Sequence, residues 1–361
     1  MAARIESVDI LRGGTILGMI LVNTPGTWSY AYAPLLHAEW HGLTFADLIF
    51  PFFLFIVGIS IYFAYKTKVA SASTYKKILI RSAKLVGLGL FLNLFLPYFP
   101  FIEPLDTVRL PGVLQRIGLV FLCTSVLYLN CSWKALVGVV VAIVLGYWLF
   151  MGFMPFPDGT LPTFDRAPNN WANYIDVHTF GKHTWQVDYD PEGVLSTIPS
   201  IATCLIGVLI GRLLDHLNHI KELFLAAVIL LVLGALMSIW FPINKAIWSS
   251  SFVLFTSGCA TLILACIYYL KDIKQLQFGT VFKYVGVNGI TIYFLSSIIS
   301  KSMYVIKMGD DNNVHSYIYE HLFVQPFLSN EQSSLLYALV VVLFYLGLGY
   351  VLYKKKIVIK V

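Results

Sequence analysis

Stretches of roughly 20 mostly apolar residues follow one another along this chain, at 10–31, 44–65, 78–98, 112–130, 134–152, 196–213, 222–241, 248–269, 279–300 and 334–353. Each is long enough to cross a bilayer. Hydrocarbon offers no partner to a peptide N–H or C=O, so each run must satisfy its backbone internally. Runs this long and uniformly apolar do so as helices rather than as barrel strands. Composition matters here on one point: only 12% of the 361 residues are charged, about half the share in a soluble domain. A water-soluble enzyme, a disordered chain, a coiled coil and a disulfide scaffold are excluded. The expected fold class is all-α, a polytopic membrane helix bundle of about ten transmembrane helices, forming one integral membrane domain over 1–361.

The net charge of +6 does not indicate nucleic acid, because the basic residues sit in short clusters between the apolar runs. The clusters at Lys66–Lys84, Lys134, Arg212–Lys221, Lys271–Lys274 and Lys354–Lys356 fall on the side that holds the N-terminus. Lys and Arg accumulate on the cytoplasmic side, so both termini are expected there. The long connections, 153–195 and 301–333, are then outer ones. Met1 to Asp9 is short and polar with no small-residue cleavage site after it, so the first run is expected to stay in the mature protein. Cys123, Cys131, Cys204, Cys259 and Cys266 lie in or at the ends of apolar runs with no metal-ligand spacing and read as ordinary buried thiols.

Ionisable groups inside a span cost roughly 2.5 to 3.5 kcal/mol on insertion scales and call for a partner, a cavity or a role. Asp9 and Arg12, three apart in the first run, share a helix face and form an interfacial ion pair or, alternatively, meet an anionic cofactor from the cytoplasm. Asn23, in the outer half of the same run, is read as interhelical glue. His37 and His41 lack a third ligand at zinc-like spacing, so no metal is expected. An imidazole beside a polar cavity can instead act as base or nucleophile near neutral pH. Asp47 and Arg116 each lie about one turn inside a span counted from the outer surface, so they are expected to pair. The acidic outer segment with Asp188, Asp190 and Glu192 is a solvated loop or attracts a cationic acceptor. Asn244 and Asn288 are read as cap or interhelical residues or as parts of a site.

Taken in order, Ser7-Val8-Asp9-Ile10-Leu11-Arg12-Gly13, Asn23, the run His37-Ala38-Glu39-Trp40-His41-Gly42-Leu43-Thr44-Phe45-Ala46-Asp47-Leu48-Ile49-Phe50-Pro51, Leu110-Pro111-Gly112-Val113-Leu114-Gln115-Arg116, Tyr189-Asp190-Pro191-Glu192-Gly193 and Pro242-Ile243-Asn244-Lys245 resemble the heparan-alpha-glucosaminide N-acetyltransferase family. The resemblance runs from the first span to the ninth. It implies a membrane-embedded acyltransferase that moves acetyl from cytoplasmic acetyl-CoA to the amine of a terminal glucosamine or related amino sugar, on a glycan, across the bilayer. It further implies that His37 is the active-site histidine and Asn23 a cavity residue. Three departures from the lysosomal members are expected: no preceding extramembrane domain and span, a stretch between Asn23 and His37 a few residues longer, and His41 in place of Asn.

The resulting expectations are specific. The donor's nucleotide rests at the inner face near Arg12, Arg81, Lys84 and Asn288. Its pantetheine arm, roughly 15 to 20 Å long, bridges about half of a roughly 30 Å apolar core. His37 takes the acetyl group or deprotonates the amine, and the Asn23 amide faces the oxyanion. Glu192, Asp190, Trp40, Asn244 and Lys245 face the acceptor. Asp47 or Glu192 orients the imidazole or holds the ammonium form of the acceptor, with Asp47 ranked below Glu192 for substrate contact because it is assigned to Arg116; Asp47, Arg116 and Asp9 are also read as structural charges. The expected partners are the lipid bilayer, acetyl-CoA and the amino sugar, with no nucleic acid and a homodimer as the candidate assembly. A bacterial inner membrane is the expected location. The competing reading is a transporter of an amino sugar or other small polar solute, against which stands the lack of duplicated halves with matching broken helices.

Overall fold

A computed structural model describes residues 5–217, 219–309 and 312–359. Among them the chain is almost wholly helical: α1 (Glu6–Asn23), α2 (Phe45–Tyr65), α3 (Ala72–Leu94), α4 (Val113–Asn130), α5 (Trp133–Phe153), α6 (Trp171–Phe180), α7 (Val194–Asp215), α8 (Ile220–Met237), α9 (Ser250–Tyr268), α10 (Thr280–Gly286), α11 (Gly289–Val305), α12 (Val314–Ile318) and α13 (Asn330–Lys354). The strands are two residues each, Lys307–Met308 paired antiparallel with Asn312–Asn313.

Among the described residues, seven helices are long and apolar enough to cross a membrane, and α10 with α11, bent by 75° at their junction, makes eight if the pair counts as one span. The protein is an integral, multi-pass membrane protein. α1 and α3 have 18 and 23 residues, and their charges set them apart: Glu6, Asp9 and Arg12 on one, Lys76, Lys77, Arg81 and Lys84 on the other.

Burial divides the helices into an inner and an outer set. The apolar window of α7 is 72% buried, whereas that of α8 is 17%. A helix that is apolar all round and covered on one side only faces lipid on the other. α2, α7 and α9 are the interior, and α5, α8 and α13 turn Leu, Val and Phe outward. α2 and α7 touch closely because Gly58 and Gly207 face each other's backbones. A Cβ on Gly58 would lie 1.9 Å from the Cys204 carbonyl oxygen, and one on Gly207 2.0 Å from that of Phe55. Small residues allow such contact between membrane helices.

Several expected boundaries differ, among them the third run, expected over 78–98 where α3 spans Ala72–Leu94. The first apolar run extends to residue 31, but α1 stops at Asn23 because Pro25 lacks an N–H and pushes Thr24 out of helical geometry. The ninth run breaks at Val287–Asn288.

Candidate functional site

The starts of α2, α4, α7 and α9 gather at one end of the bundle. Thr44 precedes α2, and its N–H and hydroxyl both donate to Asp47 Oδ2 at 3.0 Å. The Ala38 N–H donates to the same oxygen at 3.1 Å. This capping arrangement turns the carboxylate back toward the preceding loop. There Oδ1 lies 2.8 Å from His37 Nδ1. Asp47 is 1% exposed while the His37 side chain is 45% exposed. Asp47 needs a proton from Nδ1, so the tautomer assigned to His37 carries its hydrogen there and leaves the lone pair on Nε2. Lys245 Nζ lies 3.0 Å from that Nε2, 3.1 Å from Nδ1 and 3.7 Å from Asp47 Oδ1.

The loop bearing Lys245 is clasped to the histidine loop. Gly42 N–H donates to Ile243 O at 2.8 Å, and Asn244 Nδ2 donates to His41 Nδ1 at 3.2 Å. His41 Nε2 in turn donates to Asp165 Oδ1 at 3.0 Å. Asn244 is fully buried and its Oδ1 accepts from Ile247 N–H, so it fixes the loop. Trp40 donates to Phe164 O and packs edge-on against Tyr189.

Beside this centre lies a buried charge cluster. Arg109 grips Asp190 with two hydrogen bonds, 2.8 and 2.6 Å, and also bonds Glu192. Burial pushes the Glu192 carboxyl up, but Arg109, Arg116 and Lys245 outweigh it and hold the group below the usual carboxylate range. Burial, opposed by Asp47 and Glu192, leaves the Lys245 ammonium below its ordinary pKa. Asp176, on α6, is pushed up to about 7 by burial and by the neighbouring Asp190, and it accepts the Val194 N–H that opens α7.

The expected Asp47–Arg116 pair is not formed. Arg116, 1% exposed, bonds Gly193 O at 3.2 Å and Ser196 Oγ, and its guanidinium lies 5.2 Å from the Trp248 ring centre. The capping bonds at Thr44 aim Asp47 at His37 instead. Asn23 is exposed at the last residue of α1, and its side chain makes no hydrogen bond among the described residues. Both carboxylate oxygens of Asp190 are engaged by Arg109 and by backbone N–H groups, while Glu192 bonds Arg109 through Oε2. Two signals went unread in the sequence: Thr44-Phe45-Ala46-Asp47 has capping-box spacing, and Arg109 is a cation close in sequence to Arg116.

At the opposite end, a cavity of about 350 Å³ is lined by Phe53, Ser60 and Tyr65 of α2 together with Arg12, Arg81 and Asn288. Arg12 bonds Asp9 at 3.1 Å, as expected, and Ser60 at 2.8 Å. The Arg81 guanidinium lies 4.7 Å from the Phe121 ring centre, and its buried Nε finds no acceptor among the described residues. Lys84 is exposed on α3 and does not line the cavity. α2 is a ruler between the two regions: at 1.5 Å per residue, Phe53 lies about 9 Å and Tyr65 about 27 Å along the axis from Asp47. Buried Ile49 and Phe50 occupy the interval nearest Asp47.

Fold and site together define a polytopic helical membrane protein with a histidine–carboxylate–lysine centre at one end and a basic cavity toward the other. The family model for heparan-alpha-glucosaminide N-acetyltransferase, catalytic, matches residues 4–237. The chain is 31% identical to heparan-alpha-glucosaminide N-acetyltransferase from Homo sapiens, over 99% of this chain and 60% of that protein. It is also 31% identical to the Mus musculus protein of the same name, over 100% and 61%. The chain belongs to the heparan-alpha-glucosaminide N-acetyltransferase family. It spans about three fifths of the length of these relatives.

Proposed function

We propose that this protein is a transmembrane acetyltransferase that takes acetyl from cytoplasmic acetyl-CoA and delivers it to the amine of a terminal glucosamine or related amino sugar at the outer side. The observation that carries the reading is the His37–Asp47 pair at one end of α2, with a basic cavity along the other half of the same helix. In this reading ten segments cross the membrane, α1 and α3 included and α10 with α11 as one. Both termini are cytoplasmic and the membrane is a bacterial inner membrane.

Arg12 and Arg81 hold the donor's phosphates, and Arg81 Nε gains the acceptor it otherwise lacks. The pantetheine arm then runs along α2 toward Asp47, displacing Ile49 and Phe50. The His37 Nε2 lone pair is the reacting site. As nucleophile it attacks the thioester carbonyl and expels the CoA thiolate; as base it removes a proton from the attacking amine. Asp47 orients the ring and stabilises its cationic form. Lys245, at 3.0 Å from Nε2, is better placed than Asn23 to donate to the oxyanion.

The test is an assay of purified protein with radiolabelled acetyl-CoA and glucosamine. Equal amounts of free CoA and N-acetylglucosamine are expected. Sugar uptake into vesicles without acetyl-CoA, and with no CoA released, would instead establish the transporter reading, which the family membership does not favour.

A further inference from the structure

The last helix ends at Lys354, and the chain then folds back. Lys356 has a positive φ of 55°, and the Ile357 N–H returns to Leu352 O at 2.9 Å. From there the segment runs to Asn288. The Asn288 Nδ2 donates to Ile357 O at 2.9 Å, and the Ile359 N–H donates to Asn288 Oδ1 at 2.9 Å. One side-chain amide thus pairs with a carbonyl and an N–H two residues apart, as a neighbouring strand would. Val358 and Ile359 line the same cavity as Arg12 and Arg81.

Asn288 occupies the break between α10 and α11, the N-cap position of α11, where Asn is favoured because its side chain can cap the helix. Its side chain does not cap α11; its carbonyl and amide groups both meet the tail. The cavity, at about 350 Å³, is at the small end of ligand sites, which run from about 300 to 1,000 Å³. A nucleotide with a long acyl arm needs more room than that. It also needs polar walls, whereas Val358 and Ile359 offer a phosphate no side-chain donor.

We propose that the C-terminal segment Ile357–Ile359 is a strap that competes with the acetyl donor for the cavity, with Asn288 as its latch. This rests on the donor reading above. When the strap is latched the cavity is closed to the donor; when it lifts, the Asn288 amide is released toward the ligand. A donor that binds only the open form shows an affinity reduced by the open fraction. Two hydrogen bonds of ordinary net strength hold that fraction to about one part in ten or less.

Two measurements test this together. First, acetyl-CoA binding is compared between the full chain and a variant lacking residues 357–361, with a peptide of sequence Lys-Lys-Lys-Ile-Val-Ile-Lys-Val added back and a scrambled peptide as the control for charge. The truncated protein is expected to bind acetyl-CoA about tenfold more tightly, and the native-order peptide, not the scrambled one, to reverse the gain. Second, in the full chain, saturating CoA is expected to speed hydrogen exchange at the Ile359 amide. Equal donor binding in the two forms with Ile359 exchange unchanged or slowed overturns the strap and leaves the donor reading intact. Failure of both forms to bind acetyl-CoA overturns the donor reading and the strap with it. If the truncated chain does not fold, the exchange measurement on the full chain decides alone.

Discussion

Replacing His37 with alanine is expected to lower acetyl transfer by about 10²- to 10⁴-fold, the range contributed by a positioned acid–base group, while the protein still folds and binds acetyl-CoA. The side chain is 45% exposed, so removing it opens no core cavity. The more informative variant is Asp47→Asn. In Asp47 the two oxygens have separate duties: Oδ2 accepts the N–H and hydroxyl of Thr44 and the N–H of Ala38, and Oδ1 faces His37. An asparagine keeps its carbonyl on the capping side and presents its NH₂ to the imidazole. Nδ1 must then accept, the ring hydrogen moves to Nε2, and the lone pair that reacts is lost. Asp47→Asn is therefore expected to approach His37→Ala in activity while keeping the thermal stability of the parent. Activity within a factor of three of the parent would show that Asp47 caps the helix and nothing more.

The largest effect on stability is expected at Arg109. Its guanidinium neutralises two carboxylates buried beside α7: Asp190, whose side chain is inaccessible, and Glu192, 7% exposed. Asp190 also accepts the backbone N–H groups of Trp185 and Glu192, so it is held in place and cannot turn to water. Removing one partner of a buried ion pair costs about 3 to 5 kcal/mol, because the remaining charge is left without compensation. Arg109 is partly exposed, so Arg109→Met is expected near 3 kcal/mol on that scale. Thermal unfolding in detergent checks this, and the triple variant Arg109→Met, Asp190→Asn, Glu192→Gln is expected to recover most of the loss. No loss in the single variant would mean that the two carboxylates are not held by Arg109.

The helical bundle was legible in the sequence because hydrocarbon leaves the backbone few choices, and the apolar runs at 44–65, 112–130 and 134–152 match their helices to within a residue or two. The inner cavity was partly legible: Arg12, Arg81 and Asn288 line it together, since an ionisable or amide side chain in a span has few places to go. Pairing was harder to read. Equal depth brings Asp47 and Arg116 to one level of the bundle, but depth says nothing about direction. The capping bonds at Thr44 decide the direction of Asp47, and the start of α7 decides that of Arg116. Asn23 illustrates the same limit: its place inside an apolar run suggested a contact between helices, but the turn forced by Pro25 leaves it exposed at the helix terminus. Contacts between segments far apart in sequence, such as Asn288 with Ile357 and Ile359 or Lys245 with His37, have no local signature at all.

The central claim is that a donor held at one face of the bilayer reacts at an imidazole reached from the other. It is tested most directly with protein reconstituted in one orientation in sealed vesicles, with acetyl-CoA confined to the side of the Lys354–Lys356 cluster and glucosamine to the opposite side. Formation of N-acetylglucosamine across the membrane, and its absence when both compartments are exchanged, is the expected result. Transfer only when donor and acceptor share a compartment would contradict it.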